Sequence, residues 1–178
     1  MTAYRDDEVQ GPGEVAAGER PAAAGPVHPV EGCPLCQPGS ETVLWADEAL
    51  RIIRVTNEPG LPAYVRVIWQ QHLPEMTDLP AEARQRLWEV LSIVEAGMRQ
   101  CFQPDKINLA SFGNQVPHLH WHLIGRWADD PQFPGSAWSP VCRPADSAAM
   151  KAIAARVEAA MPAFRHWLAS GLARLMQR

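Results

Sequence analysis

The stretch Pro117-His118-Leu119-His120-Trp121-His122-Leu123-Ile124 decides how this chain is read. Three histidines alternate with Leu119, Trp121 and Leu123. Residues two apart share one face of a β-strand. On a strand the three imidazoles would project together, and the three large apolar side chains would point into a core. On a helix the same positions would fan over about 200° of the axis, because each step turns about 100°. The alternation therefore predicts a strand from His118 to Arg126.

A row of imidazoles has a chemical use. A neutral imidazole nitrogen is a good nucleophile toward phosphorus, and its ordinary pKa of about 6.5 leaves it largely unprotonated at neutral pH. Flanking histidines can donate hydrogen bonds to phosphate oxygens or pass a proton to a leaving group. Phosphoryl chemistry asks mainly for positioning and charge stabilisation. Two other readings stand beside this one. The row could be a set of surface histidines on a half-exposed strand. It could also present metal ligands, since H-x-H on a strand offers two. A metal-centred hydrolase would want a carboxylate base, and the nearest carboxylate downstream is Asp129.

Working outward, Ile107 to Phe112 reads as a strand, and Gly113-Asn114-Gln115 as the turn before the histidines. Leu87, Leu91, Val94, Met98 and Phe102 recur at helical spacing. Thr77-Asp78 with Pro80 marks the start of that helix, and Pro104 ends it near residue 102. Upstream, Val43-Leu44-Trp45, Leu50 to Val55, and Ala63 to Trp69 read as three strands. Trp88 and Trp121 are expected in the core. Trp127 and Trp138 are expected to pack, or to stack on a base or cross an interface. Arg126 is expected either to meet a distal phosphate or to lie solvated. The end of the chain is Ala-rich, with an amphipathic pattern from Met150 to Leu175 that Pro162 should break in two.

These elements predict an α+β domain, an antiparallel sheet of about five strands with one long helix, plus a C-terminal helical extension. We divide the chain into a disordered acidic tail (1–31), the domain proper (32–142) and the extension (143–178). Residues 1–32 carry two Arg and six acids, whereas residues 143–178 carry six Lys or Arg and two acids. The net charge of −4 argues against non-specific nucleic-acid binding. No apolar run is long enough for a membrane span, and the N-terminus lacks the apolar stretch of a secretory signal. The expectation is a cytoplasmic protein that binds neither nucleic acid nor membrane.

Cys33-Pro34-Leu35-Cys36 has the spacing of a metal knuckle, which needs two further ligands. A pair of idle thiols and a redox pair are the other readings of that spacing. Cys101 reads as core, and Cys142 as a lone loop thiol.

Pro117 to Ile124 resembles the signature of the histidine-triad family. The resemblance extends over residues 33 to 138, through the C-x-x-C, the strand end Val65-Arg66-Val67-Ile68-Trp69-Gln70-Gln71-His72, the single helix and the histidine strand. Asp105 to Asn114 looks like a bacterial branch labelled dinucleoside-polyphosphate-hydrolase-like. The resemblance implies that His120 is the nucleophile, forming a covalent nucleotidyl-histidine at the α-phosphate that water then hydrolyses. His122 would hold the α-phosphate oxygens and His118 would support the site. Substrates would be dinucleoside polyphosphates or nucleoside phosphoramidates, and the protein a homodimer with joined sheets. Bacterial members pair such a C-x-x-C with a histidine at the third strand end and the first triad histidine. That implies a structural zinc on Cys33, Cys36, His72 and His118. The chain departs from the family where many members carry Gln then Ser or Thr, since here Asn114 and Gln115 stand as substrate-binding candidates. Asn57 or Glu58 would meet the ribose. The rival functions are a metal-dependent hydrolase on the histidine row and a non-enzymatic nucleotide-binding protein.

Overall fold

A computed structural model describes residues 29–37 and 39–177; the acidic tail, through residue 28, lies outside the described residues. Five strands form one antiparallel sheet in the order β1-β2-β3-β5-β4. They are β1 (Thr42–Ala46), β2 (Leu50–Arg54), β3 (Tyr64–Trp69), β4 (Lys106–Ala110) and β5 (His120–Arg126). Helix α1 (Ala81–Phe102) links β3 to β4, and helix α2 (Ala148–Met176) follows β5.

Alternation assigns the two faces of the sheet. Leu50 and Ile52 of β2, Val65, Val67 and Trp69 of β3, and Leu123 of β5 meet both helices in one core. Helix α1 contributes Leu87, Val90, Leu91, Val94, Met98 and Phe102 to it. The helix begins after Pro80, preceded by a short 3-10 turn at Met76–Asp78, and ends at Gln103, whose φ of 53° is left-handed. Trp88 does not join the core. It is 47% exposed, about 100° round the helix from Leu87, and its ring lies 5.2 Å from that of the half-buried Trp121. The apolar stripe on α1 is filled by Leu87, Val90, Leu91, Val94, Met98 and Phe102, and Trp88 falls at its edge.

Pro162 does not break α2. The helix runs 29 residues through it. Proline removes one backbone hydrogen bond and costs about 3 kcal/mol in a helix interior. Ile153, Val157 and Met161 before it, and Phe164, Leu168 and Leu172 after it, are all buried in the common core. Each such side chain contributes about 1.5–3 kcal/mol on burial, so packing on both sides outweighs the lost bond. Contact is closest at Gly97 of α1, where a Cβ would stand 2.5 Å from Cδ1 of Trp167.

The second face of the sheet carries two smaller apolar clusters. One is Cys33, Leu35, Ile53 and Ile68; the other is Val55, Leu61, Tyr64, Ile124 and Ala137. Between them the face carries polar groups, Arg66 paired with His122, and His120 beside them. No described helix is long and apolar enough to cross a membrane.

Candidate functional site

The expected strand begins two residues late. Pairing between β3 and β5 ends at Ile68 and His120, so His118 precedes the strand. Its ring turns away from the other two. Nε2 donates to the carbonyl of Trp69 at 2.6 Å, and a carbonyl only accepts, so the proton is on Nε2 and the lone pair on Nδ1. That Nδ1 lies 3.5 Å from the sulfur of Cys33 and 3.4 Å from that of Cys36. His72 Nδ1 lies 3.2 Å from the same Cys36 sulfur.

The ligand atoms of Cys33, Cys36, His72 and His118 all fall within 4.8 Å of one another. Bonds of about 2.3 Å to sulfur and 2.0–2.1 Å to nitrogen would hold S and N about 3.6 Å apart in a tetrahedron. The observed spacings fit a metal ion of that kind. A carbonyl partner on the far nitrogen of a histidine is also how metal-bound imidazoles are oriented. Four protein donors would leave no open position. Arg51, 4% exposed, secures this corner, donating to the Leu35 carbonyl at 2.9 Å and to Glu41 at 2.8 Å.

His120 and His122 line a cavity of about 680 Å³, with Glu58, Arg66, Phe112, Asn114, Gln115 and Trp138 among its other walls. A larger groove of about 1250 Å³, lined by Asp47, Glu82, Arg86 and Leu175 among others, holds no histidine or cysteine. Nδ1 of His120 donates to the carbonyl of His118 at 2.6 Å. The nitrogen left with a lone pair is therefore Nε2. Ser111 Oγ donates to the carbonyl of His120 at 2.9 Å, fixing the backbone there. His122 Nδ1 is 2.6 Å from the hydroxyl of Tyr64. Arg66 donates to that same oxygen at 3.4 Å, and the buried phenol proton takes His122 Nδ1 as its acceptor, which puts the His122 proton on Nε2. The two rings thus present opposite chemistry, a lone pair on His120 and a donor on His122.

Burial holds all three imidazoles below the ordinary histidine value. For His122 burial, then the charges of His120 and Arg66, push it down to about 3. Both cavity histidines are thereby neutral at physiological pH.

Of the residues singled out in the sequence, Asn114 and Gln115 line the cavity with the two histidines. Asn57 is exposed and is not among the lining residues, whereas its neighbour Glu58 is. Arg126 fits neither of its expected roles. It is 1% exposed and binds Asp130 through Nε at 2.7 Å, Asn108 at 2.6 Å and the Gly135 carbonyl at 3.1 Å. It ties the loop after β5 to the sheet. Trp127 is core, while Trp138 is half exposed and meets Phe112 edge-on at 4.8 Å at the cavity wall. Sequence reasoning gave Tyr64, Arg66 and Arg51 no role. The strand parity shared by Tyr64, Arg66 and Ile68 was the available signal for the first two.

A sheet of this order with two inward histidines on its fifth strand defines a class. The HIT domain family model matches residues 39–129, and the chain belongs to that family. A histidine triad protein from Marinobacter aquaeolei VT8 is 28% identical, with a TM-score of 0.53 over 70% of this chain and 90% of that one. A histidine triad protein from Bradyrhizobium japonicum is 21% identical (TM-score 0.53, 68% and 90% covered). A hypothetical histidine triad nucleotide-binding protein from Sulfolobus tokodaii strain7 is 18% identical (TM-score 0.53, 78% and 93% covered). Comparison with curated proteins gives no match.

Proposed function

We propose that the chain is a nucleotide hydrolase or transferase that cleaves at the α-phosphate through a covalent intermediate on His120. The observation that carries this reading is the 2.6 Å bond from His120 Nδ1 to the His118 carbonyl, which leaves Nε2 as the free nitrogen of a cavity-lining residue. In the first step the Nε2 lone pair forms the N–P bond as the bond from phosphorus to the leaving group breaks. The leaving group departs with that electron pair; a polyphosphate leaves as its anion, and a phosphoramidate nitrogen takes a proton from solvent as it leaves. Positive charge that develops on the ring is shared with Nδ1–H, which the His118 carbonyl already holds. His122, with its proton on Nε2, donates to a non-bridging oxygen of the α-phosphate. In the second step water attacks phosphorus, the N–P bond breaks, and the water proton leaves to solvent, returning neutral His120 and a nucleoside monophosphate. Asn114 and Gln115 offer amide donors to the leaving side, and Phe112 and Trp138 offer flat faces to a base.

Substrates on this reading are dinucleoside polyphosphates or nucleoside phosphoramidates. Cys33, Cys36, His72 and His118 would hold a structural zinc, which supplies cross-linking rather than a reaction step. The metal-dependent alternative is less favoured because the fourfold donor set takes His118 away from the cavity. The family habit of joined sheets points to the free edge of β4 as a dimer contact, where Leu109 is 40% exposed.

The test is turnover of a panel of dinucleoside polyphosphates and phosphoramidates by the wild type and by His120→Asn. Turnover in the wild type, lost in the variant while binding persists, is the expected result. Full activity in the variant overturns the mechanism, and binding with no turnover of any substrate favours a non-enzymatic nucleotide-binding protein.

A further inference from the structure

We infer that Arg66 is the phosphate-binding cation of the cavity. The inference rests on the nucleotide reading above and adds a residue to it. Arg66 stands on β3 directly across from His122, on the face that carries the site, and its side chain lines the cavity with His120 and His122. Its guanidinium lies 5.4 Å from the centroid of the Tyr64 ring. Its hydrogen bond to the Tyr64 oxygen is long, at 3.4 Å, and its Nε is buried without a partner.

Arg54 also has a buried Nε without a partner, but each of the other arginines of the sheet has a carboxylate. Arg51 is paired with Glu41, Arg54 with Glu158 and Arg126 with Asp130. Among the described residues no carboxylate forms an ion pair with Arg66. Two carboxylates line the same cavity. Glu41 is held by Arg51, and Glu58 is exposed and forms no ion pair among the described residues. Removing a charge from water without a counter-ion is costly, and a half-buried guanidinium bears part of that cost until an anion arrives. Arg66 is thus the positive charge placed beside the two cavity histidines. Its planar fork of donors matches phosphate oxygens better than a point charge does.

A phosphate within its reach could be the α-phosphate under attack or the next one along. The experiment separates them. Calorimetric titration of the His120→Asn protein with adenosine, AMP and ADP measures binding without turnover, and guanosine, GMP and GDP are run in parallel. Arg66→Gln and Arg66→Lys are then added to that background. Adenosine affinity should be unchanged. Affinity for the phosphorylated ligand should fall about tenfold with Gln and less with Lys, which keeps the charge and loses the fork. A loss already complete with AMP assigns the α-phosphate, and a loss that appears only with ADP assigns the second. Unaltered nucleotide-to-nucleoside affinity ratios in both Arg66 variants overturn the inference while leaving the His120 mechanism standing. Failure of every nucleotide to bind the His120→Asn protein removes the nucleotide reading itself, and the inference with it.

Discussion

His118 and His120 are two residues apart, yet one is sealed against two thiols and the other opens onto a cavity. The difference comes from where the sheet stops. His120 makes the last register pair with β3; beyond it Leu119 is held by Trp69 and Leu73, and the chain turns His118 toward the Trp69 carbonyl and the cysteines. Each ring is oriented by a carbonyl at 2.6 Å, but through opposite nitrogens. His118 donates its Nε2–H to the Trp69 carbonyl and keeps the Nδ1 lone pair for the closed cluster. His120 donates its Nδ1–H to the His118 carbonyl and keeps the Nε2 lone pair for the cavity. The closed cluster is thus a mount for the open one, because the residue that joins the thiols also supplies the carbonyl that orients His120.

That comparison breaks most sharply at His120. Replacing it with Asn should cut turnover about 10⁴-fold, which is roughly 5.5 kcal/mol of barrier, while the melting temperature and bound metal stay at wild-type values. Parallel kinetics, thermal melts and metal analysis check this. At the closed cluster the pattern should reverse. Cys36→Ser should lose bound metal and about 3–5 kcal/mol of stability, with activity falling as a consequence, since loss of a metal site is among the largest single-residue effects. Denaturant unfolding with and without added zinc measures it. If Cys36→Ser loses its metal but neither stability nor activity, the cluster does not act as a mount.

Smaller effects sharpen the open side. Tyr64→Phe removes the hydroxyl that fixes the His122 tautomer and should lower kcat about tenfold with little change in melting temperature. Acid stability should also carry the mark of His122. Its folded value is about 3, whereas an unfolded histidine titrates near 6.5. Between those limits the unfolded chain binds the proton and the folded chain does not. Stability is therefore complete above about pH 6.5 and is lost as pH falls toward 3. His122→Asn should flatten this slope relative to the wild type in chemical denaturation at stepped pH.

Much of this was legible in the residues. The alternation at 118–124 gave a strand and two of the three ring directions, and the stripe from Leu87 to Phe102 gave α1. The C-x-x-C and His72 converged with His118 as the family resemblance implied. What was illegible depended on partners far along the chain. Nothing local to Arg126 announces that Asp130 and Asn108 will enclose it. Pro162 reads as a break because propensity is local, while the burial that carries α2 through it comes from α1 and the sheet. Arg66 and Tyr64 sit in a strand whose apolar content suggests only core. Their role becomes visible once β5 is laid beside β3.

The most direct test is to incubate the protein with a dinucleoside polyphosphate, quench the mixture and map any modified peptide by mass spectrometry. A nucleoside monophosphate attached at His120, absent from the His120→Asn protein, is the predicted result. Turnover with no adduct on His120, or with the adduct on another residue, would contradict the account.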